Sequence, residues 1–168
     1  MFDRKRTRFE ALVRAYSPEL YRFAYWLCRD RFTAEDLVQE TYARAWAGLS
    51  ALRDEHAAKG WLYTILRREH ARLFERKRLP LADDLDLDSL VDERLGNVSD
   101  ALEMRQALHA LPVSYREPLL LQVMGGFTCD EIAEMLQVSV GAVRTRLSRA
   151  RLALRRKAGA DSGREASA

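Results

Sequence analysis

Cysteine and histidine are scarce in this 168-residue chain, which has two and three of them. The two cysteines, Cys28 and Cys129, lie far apart, and no C-x-x-C or Cys/His cluster accompanies them. This spacing indicates neither a disulfide framework nor a zinc site and favours two buried thiols in a reducing compartment. The three histidines are dispersed, and a glycine-rich phosphate loop and a nucleophile elbow are missing. We therefore expect no enzymatic activity, no metal or other cofactor, and no small-molecule substrate.

Long hydrophobic runs and strand-like alternation are also missing. The N-terminal stretch MFDRKRTRFE has no apolar signal-peptide core, and no run approaches the ~18 apolar residues of a membrane span. These features predict a soluble, cytoplasmic protein. Nearly every segment instead repeats its apolar residues with helical period. The predicted fold class is all-α, with two small helical domains joined by a flexible acidic linker.

The predicted first domain spans residues 5–79 and contains four helices. The first ends before Ser17 and Pro18, which supply the N-cap and the first helical position of the second. The third begins at Thr33, and the fourth begins near Trp61.

The predicted linker, residues 80–98, is acidic, with seven Asp or Glu and one Arg between Leu81 and Asp100. The linker contains a cluster of four aspartates, Asp83, Asp84, Asp86 and Asp88. The sequence around them lacks the glycine and the terminal glutamate of a calcium-binding loop, which favours a connector over a cation site. The second domain is predicted over residues 99–158, and the small, polar tail of residues 159–168 is expected to be disordered.

The second domain ends in a pattern typical of a helix-turn-helix. Thr128 precedes Glu131 by three residues, a capping box, and Ser139 is the expected N-cap of the following helix. Apolar residues line one side of that helix, and the opposite side is polar or basic. The polar side consists of Gly141, Arg144, Thr145, Ser148 and Arg149. Between Gly141 and Ala158 there are seven basic residues and no acidic ones, which favours DNA binding over a merely solvated cationic helix.

Two helices of the first domain carry further candidate surfaces. The third has a polar stripe with a negative end, which is either a solvated face or an interface for a basic partner helix. The stripe consists of Asp36, Gln39, Glu40 and Arg44. The fourth places an aromatic residue beside arginines, which suits stacking on unpaired bases and contact with phosphates. This surface consists of Trp61, Thr64, Arg67, Arg68 and Arg72. The alternative is that Trp61 is a core residue and the arginines are solvated.

In this order, the three segments resemble the extracytoplasmic-function (group IV) sigma factors of bacterial RNA polymerase, over roughly residues 5 to 157. AEDLVQETYARAW resembles their region 2.2, WLYTILRRE resembles regions 2.3 and 2.4, and YREPLLLQVMGGFTCDEIAEMLQVSVGAVRTRLSRAR resembles region 4. The resemblance implies that the third helix binds the clamp helices of the polymerase β′ subunit, with a further contact to the β flap. It also implies that the fourth helix melts and reads the −10 element and that the last helix reads the −35 element. An anti-sigma factor is implied as a further partner.

The chain departs from the family pattern at several places. Arg68 stands where the family often has Asn, and Arg72 stands where it often has Asp. Ala58 and Lys59 stand where aromatic residues are common just before the tryptophan, so the melting contacts are expected to be more electrostatic than usual. Gln137 occupies a turn position where Gly is common, and we expect the turn to relax without a positive φ. The competing function is a stand-alone helix-turn-helix regulator with an N-terminal sensing domain.

Overall fold

The computed structural model describes residues 1–78 and 100–165. Over these residues the secondary structure is helical throughout, which confirms the predicted all-α class, and the chain divides into two compact units. The predicted linker (80–98), with its aspartate cluster, lies outside the described residues, as do residues 166–168.

The first unit contains three long helices and two short 3-10 turns. Helix α1 is Phe2–Cys28, α2 is Arg31–Gly48 and α3 is Ala58–Arg78, and the 3-10 turns Leu49–Ala51 and Glu55–Ala57 connect α2 to α3. All three helices pack against one another. Leu20, Phe23 and Leu27 of α1 are completely buried, as are Leu62 and Leu66 of α3. These side chains form the core that fixes α2 and α3 beside each other.

The predicted helix break at Ser17 and Pro18 is wrong, because α1 runs through both residues. The helix is continuous, and Ser17 Oγ donates to the carbonyl oxygen of Val13 (2.6 Å) instead of capping a new helix. Proline inside a helix costs roughly 3 kcal/mol. Burying one Leu or Phe contributes about 1.5–3 kcal/mol. Because Leu12 precedes Pro18 and several buried residues follow it on the same packed face, burial outweighs the cost of the proline.

Helix α2 begins earlier than predicted. Its N-cap is Asp30, whose carboxylate accepts hydrogen bonds from the Thr33 backbone N–H (2.9 Å) and the Thr33 hydroxyl (2.6 Å). Thr33 therefore supports the cap from inside the helix, and the helix starts at Arg31. Aspartate at the N-cap satisfies a backbone donor that the helix itself leaves unpaired.

The part of the second unit that the structure describes, residues 100–165, contains four helices. Helix α4 is Asp100–Ala110, α5 is Val113–Val123, α6 is Cys129–Leu136 and α7 is Val140–Glu165. Helices α4, α5 and α6 each pack against α7. The buried side of α7 consists of Val143, Leu147 and Ala150, as the apolar stripe predicts. The opposite side of α7 is therefore directed away from the core.

The structure confirms both predicted helix starts of the helix-turn-helix. The Thr128 hydroxyl accepts from Glu131 N–H (3.2 Å), and the Glu131 carboxylate accepts from Thr128 N–H (2.7 Å), which completes the capping box. Ser139 Oγ accepts from Ala142 N–H (3.1 Å) at the start of α7.

The turn between α6 and α7 differs from the expectation for Gln137, whose φ is +54°. The Val138 N–H donates to the carbonyl oxygen of Ala133 (3.1 Å), a bond that requires a left-handed residue before it. A relaxed turn would lose this bond and leave carbonyl groups of α6 unpaired, so Gln137 adopts the conformation that glycine usually supplies.

The C-terminal part of α7 also differs from the sequence prediction. Disorder is predicted from residue 159, whereas the helix continues to Glu165. No proline interrupts residues 158–165, and each residue added to an existing helix gains a backbone hydrogen bond.

The two cysteines are free of disulfide bonds, but both thiols are only half-buried, in contrast to the buried thiols that we predicted.

Candidate functional site

The exposed side of α7 contains the whole predicted DNA-reading set. Gly141, Arg144, Thr145, Ser148 and Arg149 are all exposed. The capping box and the left-handed Gln137 fix the angle at which α7 leaves α6, and the buried stripe fixes its rotation. The structure therefore brings these five residues together on one solvent-facing surface.

Four arginines of α7, namely Arg144, Arg149, Arg151 and Arg155, form no ion pair with a carboxylate among the residues that the structure describes. Arg149 donates to the Tyr115 hydroxyl (3.4 Å), and Arg151 donates to the Gln122 side-chain oxygen, both on α5. Neither contact supplies a negative charge. Arg144 and Arg155 have no carboxylate partner among the described residues and line a groove of about 310 Å³ with Gln122. A row of unpaired guanidinium groups creates a local positive potential that attracts phosphates.

The polar stripe of α2 is exposed as predicted, but its fourth member has internal partners. Asp36, Gln39 and Glu40 face solvent. Arg44 Nε donates a hydrogen bond to Glu40 Oε1 (3.0 Å) and forms an ion pair with Glu69 Oε1 of α3 (2.9 Å). The surface open to a partner is therefore the acidic part of the stripe.

Some residues of the predicted α3 surface are half-buried, and others are exposed to solvent. Trp61 is half-buried and packs against a cluster formed by Leu12, Leu49, Leu52 and Ala58. The Thr64 hydroxyl donates to the Gly60 carbonyl oxygen of its own helix (2.7 Å).

Arg68 and Arg72 are exposed, and Arg67 is half-buried. The packing agrees with the alternative in which Trp61 is a core residue, and the arginines are the part of this surface most open to a ligand.

Several buried polar groups of α3 could not be predicted from the sequence, and two of them, Glu69 and Tyr63, have partners on other helices. Glu69 lies among charged residues in the string RREHAR, where nothing distinguishes a buried carboxylate from a solvated one. Tyr63 is fully buried, and its hydroxyl donates to Glu19 of α1 (2.8 Å). Burial, and next the hydrogen bond to Glu19, raise the pKa of Tyr63 well above its ordinary value of 10. Both groups attach α3 to its neighbours.

Within the described ranges, 1–78 and 100–165, no group of three or more His, Cys, Asp or Glu side chains is placed to hold a metal ion. The same ranges contain no helix that is both long enough and apolar enough to span a membrane.

Comparisons with known proteins agree with this arrangement. The family model described as Sigma-70 region 2 matches residues 12–79, and the model described as Sigma-70, region 4 matches residues 101–154. The ECF RNA polymerase sigma factor EcfG of Rhodopseudomonas palustris is 32% identical over 142 residues, which cover 83% of this chain and 78% of that protein. The ECF RNA polymerase sigma factor SigM of Mycobacterium tuberculosis is 32% identical over 155 residues, which cover 92% of this chain and 79% of that protein.

A solved structure is similar over nearly the whole chain. It is the sigma factor RpoE from Bartonella quintana, crystallised in complex with the anti-sigma factor NepR. The TM-score is 0.74, with 28% sequence identity, and the match covers 92% of this chain and 98% of that one. The chain therefore belongs to the ECF RNA polymerase sigma factors of the sigma-70 family.

Proposed function

We propose that this sigma factor binds core RNA polymerase through α2 and directs it to promoters by contacts of α7 with the −35 element and of α3 with the −10 element. The observation that carries the proposal is the exposed face of α7, where the predicted reading residues and unpaired arginines lie on one side of a capped helix-turn-helix. A helix of this kind fits the major groove, with its cations against the flanking phosphates. In this role the protein has no catalytic step of its own, because the polymerase forms the RNA.

The exposed acidic part of α2 supports a polymerase contact. Asp36 and Glu40 form a negative surface next to neutral Gln39, which suits a partner helix with basic residues. The β′ clamp helices are the proposed partner for this surface, and the β flap is a proposed further contact. Since the polymerase acts in the cytoplasm, we expect this protein to act there too.

The exposed arginines of α3 support a contact with the melted −10 region. Arg68 and Arg72 offer exposed guanidinium groups for phosphates and bases, while Trp61 is half-buried against the core. Melting by this chain is thus proposed to depend more on charge than on aromatic stacking.

An anti-sigma factor is a proposed regulator. The similar sigma factor from Bartonella quintana was crystallised with such a partner, and the match extends over both units of this chain.

Charge reversal on α2 tests the proposed polymerase contact. Asp36→Arg should weaken binding of the full chain to core polymerase by about tenfold or more, because a cation then faces a cationic partner. The measurement is a titration of the N-terminally labelled chain with purified core polymerase. Glu10→Arg is the matched control, since Glu10 is an exposed carboxylate of α1 outside the stripe. Equal affinity of a folded Asp36→Arg variant and the wild type would contradict the assignment.

A further inference from the structure

A chain of four charged side chains crosses the contact between α2 and α3. Glu40 and Arg44 belong to α2, and Glu69 and Arg72 belong to α3. Arg44 Nε lies 3.0 Å from Glu40 Oε1 and 2.9 Å from Glu69 Oε1. One nitrogen of the Arg72 guanidinium lies 3.5 Å from the same Glu69 oxygen. Residues that sequence analysis assigns to two separate surfaces are thus joined through one carboxylate.

The ion pair between Arg44 and Glu69 is the one that joins α2 to α3, and it involves a nearly buried carboxylate. The Glu69 side chain is only 9% exposed, whereas those of Glu40 and Arg72 are about half exposed at 49% and 48%. A carboxylate nearly excluded from water requires a nearby counter-charge, while exposed pairs within one helix contribute little to stability. Arg44 supplies that counter-charge to Glu69, and its hydrogen bond with Glu40 is an exposed pair within α2.

We propose that Glu69 is a positioning residue that, through Arg44, fixes the polymerase-facing helix α2 to the DNA-facing helix α3. Arg44 acts within this clasp, which we define as Arg44 with Glu69, and is not itself a polymerase contact. The inference rests on the proposed functions of α2 and α3. Its physical basis is that Arg44 is a cation, which offers a basic partner no attraction, and that its charge is already paired with Glu40 and Glu69.

The clasp has a consequence for each surface. At α2, Arg44 neutralises part of the negative charge of Glu40, so removal of Arg44 makes the acidic surface more negative. At α3, Glu69 also contacts Arg72, whose side chain is about half exposed. Loss of the clasp should therefore impair DNA opening while leaving polymerase binding intact or tighter.

The test uses Arg44→Met and Glu69→Gln, both close in volume to the native side chains, and their double variant. Core affinity is measured with the labelled full chain. Promoter opening is measured with saturating holoenzyme, by the permanganate reactivity of unpaired thymines. The promoter is one that the wild-type holoenzyme selects from a random-sequence library. Each single variant should open the promoter about fivefold more slowly with unchanged or tighter core affinity. The double variant should open it no more slowly than either single one, because both changes remove the same bond.

Arg8→Met is the control for general destabilisation. Arg8 also joins two elements of the first unit, donating to the Leu52 carbonyl oxygen (2.7 Å) and pairing with Glu55 (3.4 Å). This variant should lower the stability of the unit. It should not show slower promoter opening together with unchanged or tighter core affinity.

Four results would overturn the proposal. They are unchanged opening in the two single variants, weaker core binding of Arg44→Met, additive losses in the double variant, and the same loss of opening in Arg8→Met. The proposed function of α2 fails in a different way, by normal core affinity of Asp36→Arg, so the two failures can be distinguished.

Discussion

At the scale of single residues, the strained backbone of the second unit lies at Gln137. Its φ of +54° places a β-carbon where only glycine is free of steric cost. The turn nevertheless requires this conformation, because the bond from Val138 to Ala133 closes α6. Sequence analysis identified the turn but not its backbone, since a side chain gives no direct sign of the φ that its neighbours impose.

Gln137→Gly should stabilise the second unit by about 0.5–1 kcal/mol, as relief of the left-handed strain exceeds the extra entropy of glycine in the unfolded chain. Amide hydrogen exchange of α5 and α6 in the full chain measures this change. Gln137→Ala is the control, because it removes the same side chain but keeps the β-carbon. If Gln137→Gly protects these amides no better than Gln137→Ala, the strain is not significant.

The raised pKa of Tyr63 predicts how the stability of the first unit changes at alkaline pH. The unfolded chain ionises its tyrosines near pH 10, whereas the raised pKa of Tyr63 keeps it protonated in the fold. The stability that Tyr63 contributes is therefore complete below pH 10 and decreases as the pH rises above that value. Tyr63→Phe should be less stable near neutral pH, through loss of the bond to Glu19, but should lose less stability with rising pH.

Urea unfolding followed by tryptophan fluorescence tests this prediction. All three tryptophans, Trp26, Trp46 and Trp61, belong to the first unit, so the signal reports that unit alone. Parallel pH curves for the wild type and Tyr63→Phe would show that another group controls the alkaline response.

At the scale of elements, predictions succeeded where a local pattern determines the structure. The capping box at Thr128 and the stripe on α7 are local, because their partners lie three to eleven positions away along the chain. The continuity of α1 through Pro18 depends instead on packing against other helices, which the proline signal does not contain. The same holds for Arg44, whose exposed position on α2 could be predicted but whose partner, Glu69, lies on another helix.

Helix α7 should contain two separable kinds of DNA contact. Arg144 lies in the first turns, which enter the groove, so Arg144→Ala should cost about 1–3 kcal/mol on the preferred −35 sequence and relax discrimination at one base position. Arg155 lies farther along, so Arg155→Ala should weaken all sequences alike and make the salt slope shallower by about one unit. Holoenzyme binding to matched −35 variants at several salt concentrations measures both. A uniform loss for Arg144→Ala would make Arg144 a phosphate contact and would transfer sequence reading to Thr145, Ser148 or DNA shape.

At the scale of the whole molecule, the two units differ in how they use their cations. In the described part of the first unit, Arg6, Arg31 and Lys59 pair with carboxylates of the same unit, and Arg44 pairs with two. On α7, Arg144 and Arg155 lack such partners among the described residues. We therefore expect the second unit to supply most of the affinity for duplex DNA, while the first unit contributes once the polymerase holds it at the −10 element.

The central claim is that this chain makes core polymerase initiate at a promoter. Run-off transcription with purified core, on the promoter selected by the wild-type holoenzyme, tests it most directly. The account predicts a discrete transcript only when core and chain are both present, a strong loss with Asp36→Arg, and a loss with Arg144→Ala that disappears when the −35 sequence is removed. If the chain binds its DNA sequence without core, and core with the chain initiates no better than core alone, the protein is a stand-alone regulator and the account is contradicted.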